Sequence, residues 1–376
     1  MLTSAKKAKN DEFYTQYHDI EKEINAYLEL NPKVFKNKTV FLPCDDPEWS
    51  NFTRYFSQNF EKLEIKKLIS TSYAANSKSK EIVYQPTLFE SESPQFDEEK
   101  TKSNGKIFTL EMDKNGDKQI DFEDLEWSYL NGDGDFRSDE IKKIRDGSDI
   151  IITNPPFSLF REFLSWIVEA DKQFVIIGSM NAITYKEVFP LIKENRLWLG
   201  NGFQSGNAYF ATPTTREYAT GVYDESTGLV KFRNVAWFTN LDHGRRHQPL
   251  PLMTQADNVK FSKHKEVKGN GYHNYENYDA IEVPYTDAIP ADYKGIMGVP
   301  ISFLQKYSPE QFEIIGNGQT MANELGIKPV GEKFVKDYYE QGNKGQINAK
   351  WNNLVYRVGD IVYVPYQRIL IRHKKV

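Results

Sequence analysis

Residues 150–160 read IIITNPPFSLF, an apolar run that meets two consecutive prolines. The isoleucines predict a buried strand. The two prolines remove two backbone donors and hold Asn154 and Pro155 in extended conformations, so neither a strand nor a helix can continue through them. Beyond Phe157, the amphipathic segment 158–172 predicts a helix that begins at Ser158. The sequence therefore predicts a rigid turn between a strand and a helix.

Strand-like and helix-like segments alternate on both sides of this turn. The predicted elements are a helix at 19–30, a strand within 38–47, a helix at 50–60 capped by Ser50, a strand at 64–73 and a strand at 173–180. This alternation is typical of an α/β fold with a doubly wound sheet. In such sheets the ligand binds at the carboxyl ends of the strands, where LPCDDP (42–47), TNPPF (153–157) and GSMN (178–181) lie.

The composition and the predicted secondary structure change after about residue 200. Short β-like segments rich in Tyr, Asn and Gly follow one another, including NAYFATP (207–213) and LVKFRNVAWFTNL (229–241). Residues 74–106, in contrast, are rich in Ser, Lys and Glu and predict a loop or an extended excursion. We therefore expect an α/β domain at 1–245 that carries an acidic insertion at about 74–140, and a β-rich region at 246–376.

The composition is that of a soluble globular protein. The chain has 376 residues, of which 39% are hydrophobic and 14% aromatic, enough to form a large core. It contains no run of eighteen apolar residues and no signal peptide, so we expect a cytoplasmic protein without a membrane segment. Cys44 is the single cysteine of the sequence, which excludes an intramolecular disulfide.

The net charge of −5 is unevenly distributed. Residues 111–149 hold 13 acidic and 6 basic residues, a local charge of −7, which leaves +2 on the rest of the chain. Net charge therefore does not exclude binding to nucleic acid. Basic residues interleaved with aromatic ones lie at 243–247, 260–273 and 366–376, and each cluster is either a DNA contact or a solvated surface. The DNA-contact candidates from these clusters are Arg245, Arg246, Lys263 and Lys265.

The residue types at the turn suit the chemistry of an exocyclic amine. Adenine's amine is a poor nucleophile because its lone pair is delocalised into the ring. The Asn154 side-chain oxygen and the Pro155 carbonyl could accept both amine hydrogens and aim the lone pair at an electrophile. Phe157 offers a face for stacking, provided that the base first rotates out of the duplex. A plain turn after a strand is the alternative interpretation.

Several long segments are similar to EcoRI-type adenine-specific DNA methyltransferases, which share the signature (Asn/Asp/Ser)-Pro-Pro-(Tyr/Phe/Trp). The matching segments are 44–56, 132–140, 170–200, 235–243 and 278–316. The resemblance implies a Rossmann-like methyltransferase sheet, S-adenosylmethionine as cofactor, and site-specific N6-methylation of a flipped adenine in duplex DNA. It also implies that 1–245 is catalytic and that 246–376 recognises the DNA target. A monomer is favoured, and any cognate restriction endonuclease would act separately.

The same resemblance implies roles for individual residues. Asn154, Pro155 and Phe157 would be catalytic. A Phe-Tyr-Thr pattern would border the methionine moiety of the cofactor, and an Asp-Phe pair would flank its adenine. The sequence has no Gly-x-Gly turn after the first strand and no acid at the end of the second, where hydroxyl groups stand instead. The implied cofactor-binding residues are Phe13, Tyr14, Thr15, Asp45, Thr71, Asp135 and Phe136.

One competing motif lies in the acidic insertion. DKNGDKQIDFED (113–124) places oxygen-bearing side chains at positions 1, 3, 5, 9 and 12 of a calcium loop. Lys118 stands where such a loop favours glycine, and position 12 is Asp instead of Glu, so a solvated acidic loop is favoured and no metal is expected in methyl transfer. The candidate ligands are Asp113, Asn115, Asp117, Asp121 and Asp124.

Two functional alternatives remain open at this point. The four-residue signature also serves methyltransferases that act on RNA or on the glutamine amide of a protein. A calcium-dependent nucleic-acid-binding module with an inactive α/β domain is the alternative from another class. Binding of S-adenosylmethionine would separate an enzyme from such a module.

Overall fold

The computed structural model describes residues 13–45, 50–74, 93–203, 207–212 and 220–374. Part of the predicted acidic insertion, 75–92, lies outside the described residues. The chain divides into two compact units. Unit 1 comprises the described residues within Met1–Ala182 and Leu197–Gly244, and unit 2 comprises those within Ile183–Arg196 and Arg245–Val376. The functional division at residue 245 stays a prediction.

Unit 1 is built from strands and helices that alternate over much of its length. Its strands are β1 (Tyr14–Thr15), β2 (Thr39–Leu42), β3 (Lys67–Ser72), β4 (Lys106–Leu110), β5 (Glu126–Tyr129), β6 (Ile150–Thr153), β7 (Gln173–Ser179), β8 (Trp198–Leu199), β9 (Asn207–Ala211), β10 (Tyr223–Asp224), β11 (Leu229–Arg233) and β12 (Val235–Thr239). Its helices are α1 (Tyr17–Leu30), α2 (Asn51–Gln58), α3 (Glu98–Ser103), α4 (Asp139–Asp146) and α5 (Phe160–Glu169). The predicted α/β class is confirmed.

The central sheet of unit 1 has the strand order β5-β4-β3-β2-β6-β7-β12-β8. β3, β2, β6 and β7 run parallel, whereas the outer strands on both sides are antiparallel to their neighbours. Strands β2 (TVFL) and β6 (IIIT) are buried along their whole length, as is typical of parallel strands in the centre of a sheet. Because β2 and β6 are parallel neighbours, their carboxyl ends lie side by side at one edge of the sheet.

The two predicted helix caps have different outcomes. Ser50 caps α2, and its Oγ accepts a hydrogen bond from the Phe52 backbone N–H at 3.1 Å, as predicted. The prediction for Ser158 is wrong, because the prolines are followed by a 3-10 turn, Phe157–Leu159, and α5 begins only at Phe160 without a side-chain cap. The Pro156 carbonyl accepts the Leu159 N–H at 2.9 Å, which satisfies the backbone without the serine.

The acidic insertion contributes regular structure to the central sheet. β4 pairs with β3, and β5 pairs with β4, both in antiparallel fashion. The prediction of a loop over 74–106 is wrong for its described end, where α3 begins after Asp97. The Asp97 side chain accepts the backbone N–H groups of Glu99 and Lys100 at 3.0 Å. A short polar helix of this kind has no apolar stripe, so periodicity does not reveal it.

A second, smaller sheet of unit 1 has the order β1-β9-β11-β10, with antiparallel pairing throughout. One face of this small sheet is buried and carries Ala208, Phe210 and Val230. The chain passes from β11 into β12 of the central sheet at Asn234, whose carbonyl accepts the Met180 N–H at 2.7 Å. The end of β11 is thereby fixed beside the carboxyl end of β7.

Unit 2 has its own sheets and its own buried clusters. Its helices are α6 (Phe189–Lys193), α7 (Gln255–Phe261) and α8 (Gly331–Glu340), and its strands are β13 (His273–Asn274), β14 (Ile281–Glu282), β15 (Met297–Pro300), β16 (Phe312–Asn317), β17 (Tyr356–Val358), β18 (Ile361–Tyr363) and β19 (Arg368–His373). The strands form a sheet of order β13-β14-β15-β19-β16 and a β17–β18 hairpin. Segment 298–304, which has strand-like character, becomes a 3-10 helix from Ile301. None of the described helices could span a membrane.

Candidate active site

The predicted turn lies where the carboxyl ends of β2 and β6 meet. Thr153 Oγ1, at the end of β6, donates a hydrogen bond to the Pro43 carbonyl at 2.5 Å. On the other side of β2, the Asp45 N–H donates to the Thr71 carbonyl at 2.9 Å, and Ser70 Oγ donates to the Asp45 carbonyl at 2.5 Å. These bonds join the ends of β2, β3 and β6 into one fixed edge.

Asn154 is held with its amide in a defined orientation. Its Nδ2 donates a hydrogen bond to the Phe13 carbonyl at 2.7 Å. Its Oδ1 is buried and has no hydrogen-bond partner within the described parts of the chain. A buried acceptor without a partner costs free energy unless a ligand supplies the donor. The geometry therefore leaves one amide oxygen available to an N–H group of a substrate.

Aromatic rings surround the turn beside Asn154. The Phe157 ring lies 5.9 Å from that of Phe232 and 6.4 Å from that of Phe210, edge to face in both cases. Phe13 lies 4.6 Å from Phe232. Phe210 and Phe232 are not among the predicted site residues. The alternation of apolar residues in NAYFA and LVKFR was the available signal, because it places both rings on the buried face of the small sheet.

Of the predicted cofactor-binding residues near the N-terminus, Tyr14 and Thr15 form β1, and Phe13 directly precedes it. Tyr14 pairs with Ala211 and Thr15 with Phe210 in the small sheet. The Thr15 carbonyl accepts Asn51 Nδ2 at 2.8 Å, while Thr15 Oγ1 is buried without a partner among the described residues. The structure thus brings Phe13, which directly precedes β1, into contact with Asn154, although the two residues are 141 positions apart in the chain.

Asp45 and Thr71 lie at the same edge. Asp45 is buried and accepts Ser50 Oγ at 2.8 Å, which links it to the first turn of α2. Thr71 Oγ1 is buried and has no partner within the described ranges. The residue before Asp45, Cys44, has a left-handed backbone with a φ of 66°. It performs the backbone turn for which a glycine is usual, which explains how a chain without Gly-x-Gly can turn here.

Asp135 and Phe136 lie in different environments. Burial favours a higher pKa of the Asp135 carboxyl, but hydrogen bonds from Arg137 and its positive charge outweigh burial and lower that pKa. Phe136 is fully buried against the rings of Phe163 and Trp166, at 5.1 and 5.6 Å. Asp135 is half-buried, and its charge acts on the Cys44 thiol. The adenine-flanking role of Phe136 stays a prediction.

The predicted DNA contacts differ in their accessibility. Arg246 is only 6% exposed, and its guanidinium donates to the Asn195 side chain. Arg245 is half-buried. Lys263 and Lys265 are exposed, and Lys263 forms an ion pair of 2.7 Å with Asp287. Arg246 thus has a structural role inside unit 2 in this conformation, whereas the two lysines are accessible.

The side chains of the predicted calcium loop accept hydrogen bonds from the loop's own backbone. Asp124 accepts the N–H groups of Lys114 and Asn115 at 2.7 and 3.1 Å, and Asp113 accepts that of Lys118 at 2.8 Å. Bonds of the same kind are made by Asn115, Asp117 and Asp121. No group of three or more side chains suited to a metal ion is found in the part of the chain that the structure describes.

Comparisons with known proteins find both a family and individual relatives. A family model described as "Adenine-specific methyltransferase EcoRI" matches residues 1–374. The chain is 44% identical to Type II methyltransferase M.EcoRI of Escherichia coli, over 100% of this chain and 97% of that protein. It is 34% identical to M.MgeORF184P of Mycoplasma genitalium (92% and 94% covered) and 33% identical to M.MpnI of Mycoplasma pneumoniae (83% of each), both Type II methyltransferases. No solved structure matches.

Proposed function

Because the chain belongs to the EcoRI family of adenine-specific methyltransferases, we propose that Asn154, Pro155 and Phe157 form the site at which its target adenine is methylated. The protein is a DNA adenine methyltransferase of the restriction–modification type, and S-adenosylmethionine is its methyl donor. The resemblance read from the sequence is confirmed. The alternatives of an RNA methyltransferase, a protein methyltransferase and an inactive calcium-binding module are not retained.

The orientation of the Asn154 amide carries the proposal. One hydrogen of its Nδ2 is donated to the Phe13 carbonyl, which fixes the orientation of the amide. Its buried Oδ1 remains as an acceptor for one hydrogen of the adenine amine. A proline has no N–H group, so the Pro155 carbonyl can accept the second hydrogen without a competing donor from its own residue.

Two fixed acceptors change the reactivity of the amine. With both hydrogens bound, the nitrogen becomes more tetrahedral and its lone pair is no longer fully shared with the ring. Acceptors that are preorganised in a buried site need no rearrangement during the reaction, which makes them more effective than water. Phe157 would stack on the base after the base has rotated out of the duplex, and Phe232 and Phe210 would support that ring.

The residues at the strand ends fit the methyl donor. The buried hydroxyl groups of Thr15 and Thr71 have no partner in the described residues, which suits a polar ligand that supplies one. Phe13, Tyr14 and Thr15 would hold its methionine part, and Asp45, Thr71 and the Asp135–Phe136 pair its adenosine part. When bound, S-adenosylmethionine supplies an electrophilic methyl group. The chain's own contribution is to hold the target amine and to exclude water from it.

We assign the larger architecture in the same way. The parallel strands β3, β2, β6 and β7 support the doubly wound, Rossmann-like interpretation of the catalytic domain. The β-rich part of unit 2 would recognise the DNA target, with 1–245 catalytic and 246–376 for recognition. The protein would act in the cytoplasm, because its DNA substrate lies in that compartment. We favour a monomer, and any cognate endonuclease would act separately.

Substitution of Asn154 tests the proposed function. Asn154→Ala removes one acceptor and should lower the rate of methyl transfer by roughly 100-fold or more, the scale seen when one preorganised hydrogen-bonding group is removed. Affinity for S-adenosylmethionine should stay close to that of the wild type. The measurement is transfer of labelled methyl to mixed-sequence duplex DNA, followed by nucleoside digestion to identify N6-methyladenine.

Ser158→Ala is the matched control for this experiment. Ser158 is exposed and lies four positions along the same turn, so its substitution tests for local disruption without removal of an acceptor. It should leave transfer unchanged. Equal loss of cofactor affinity and turnover in Asn154→Ala would contradict the assigned role of Asn154.

A further inference from the structure

The outer face of the small sheet differs in chemistry from its buried face. On β9 and β11, Tyr209 lies opposite Lys231, and Asn207 lies opposite Arg233. Tyr209 is 39% exposed, Lys231 is half-buried and Arg233 is exposed. The Lys231 ammonium lies 5.8 Å from the centre of the Tyr209 ring. The face therefore presents two cations and a phenol, whereas the opposite face is apolar.

These two cations have no acidic partner in the described residues. No ion pair within the described ranges includes Lys231 or Arg233, although many other exposed cations of unit 1 have one. The acidic residue of this sheet, Asp224, pairs with Leu229 at the far end of β11 and accepts Ser226 Oγ at 2.6 Å. Positive charge is thus concentrated at the end of β11 that leads into the central sheet.

This end of β11 adjoins the candidate active site. Phe232, between the two cations in sequence, points to the other face and contacts Phe157 and Phe13. One position beyond Arg233, the Asn234 carbonyl binds the Met180 N–H at the carboxyl end of β7. The cations therefore stand on the back of the strand that packs against the Asn-Pro-Pro-Phe turn.

We propose that Tyr209, Lys231 and Arg233 form a binding surface for the phosphodiester backbone of the DNA strand that carries the target adenine. Cations without acidic partners complement phosphate charge, and Tyr hydroxyls commonly bind phosphate oxygens. Lys231 and Arg233 are two positions apart on a strand, or about 7 Å, comparable to the spacing of consecutive phosphates. Contacts to phosphates near the flipped nucleotide would anchor the strand beside the site while the base enters it.

This inference rests on the proposed placement of the adenine beside Phe157, and a salt titration tests it. The double variant Lys231→Ala/Arg233→Ala should bind mixed-sequence duplex DNA more weakly between about 50 and 200 mM salt. The slope of log K against log salt should become shallower by about 0.9 for each phosphate that the variant no longer neutralises, or about 1.8 for two. Affinity for S-adenosylmethionine should be unchanged.

Two further variants make the outcome decisive. Lys62→Ala removes an exposed cation before the amino end of β3, at the opposite edge of the sheet, and should keep the wild-type slope. Lys231→Arg/Arg233→Lys keeps both charges and should restore the slope. A wild-type slope in the double Ala variant would overturn the inference, as would failure of the charge-preserving variant to restore it. Absence of any DNA binding by the wild-type protein would instead count against the proposed function.

Discussion

Cys44 shows how a single residue replaces an expected motif. Its left-handed backbone, with a φ of 66°, costs an ordinary residue roughly 1–2 kcal/mol. Burial raises the pKa of its thiol to about 12, a hydrogen bond to Tyr73 partly offsets this increase, and the charges of Asp45 and Asp135 add to it. The thiol therefore stays protonated at neutral pH and is a poor nucleophile.

Alkylation of Cys44 checks this environment directly, because the sequence has no other cysteine. In the folded protein, iodoacetamide should react with Cys44 more slowly at pH 8 than with an ordinary cysteine, and faster as the pH rises, since only the thiolate reacts. In urea the thiol should react at the rate of an ordinary cysteine. The raised pKa also means that Cys44 contributes stability below its ordinary pKa of 9.0, which is lost as the pH rises toward 12. Rapid alkylation of the folded protein at pH 8 would contradict this account.

Local patterns allowed the Asn-Pro-Pro-Phe turn to be predicted, but not the burial of every candidate residue. The constraint on Asn154 and Pro155 comes from adjacent prolines, which a short window of sequence contains in full. The burial of Arg246 and Phe136 depends on residues elsewhere in the chain, such as Asn195 and Trp166. Sequence composition cannot distinguish a basic residue that faces solvent from one enclosed by its own unit.

At the scale of elements, helix α1 holds the segment that leads to β9. Glu23 is 1% exposed and accepts the backbone N–H groups of Asn201 and Gly202 at 2.9 and 3.0 Å, together with the Tyr27 hydroxyl at 2.5 Å. A side chain on Gly200 would place its Cβ 1.9 Å from Glu23 Oε1 and 2.9 Å from Trp237 Cβ. The position of the Glu23 carboxylate therefore leaves no room for a side chain at position 200.

A double-mutant cycle measures the coupling free energy between Gly200 and Glu23. Gly200→Ala should lower the free energy of unfolding by about 1–3 kcal/mol, because the new methyl group displaces a packed carboxylate. The cost of the same change should be smaller in a Glu23→Asp background, where the shorter side chain makes room. Urea unfolding followed by tryptophan fluorescence supplies both values. Gly244→Ala is the control, since nothing lies within 4 Å of its added Cβ; equal costs of Gly200→Ala in the two backgrounds would refute the coupling.

Elements with strong periodicity were predicted well, and short ones were not. The buried strands β2, β6 and β7 and the helix capped by Ser50 follow from apolar runs and one cap. The link between Glu23 and Asn201 joins positions far apart in sequence, and no local signal contains it. The start of α5 was misplaced because a 3-10 turn satisfied the backbone in place of Ser158.

At the scale of the molecule, the division into units is not continuous along the chain. Residues Ile183–Arg196 belong to unit 2, although they are flanked on both sides by unit 1. Within unit 2, Thr320 Oγ1 donates to the Thr184 carbonyl at 2.6 Å, which ties this segment to the loop after β16. A single predicted boundary at residue 245 cannot describe a segment that leaves unit 1 and is followed by a return to it. The unit to which a residue belongs depends on its contacts, which composition does not reveal.

A buried ion pair of unit 2 offers a test of whether the two units have separate tasks. Glu282 is 2% exposed, and Arg368 donates to it through Nε at 3.0 Å and Nη2 at 2.6 Å, while Tyr275 donates its hydroxyl to the same carboxylate. Glu282→Ala leaves the Arg368 charge buried without its partner, a change that typically costs about 3–5 kcal/mol. We expect the loss of stability to be confined to unit 2.

If unit 2 recognises DNA and unit 1 binds the methyl donor, Glu282→Ala should lose most methyl transfer and DNA affinity but keep its affinity for S-adenosylmethionine. Calorimetric titration of the cofactor and a DNA-binding assay on the same preparation make the comparison. Glu313→Ala is the matched control, because its ion pair with Arg372 is exposed and such pairs contribute about 0–1 kcal/mol. Parallel loss of cofactor and DNA binding in Glu282→Ala would instead mean that the two units form one cooperative structure, and that the cofactor site depends on the unit 2 core.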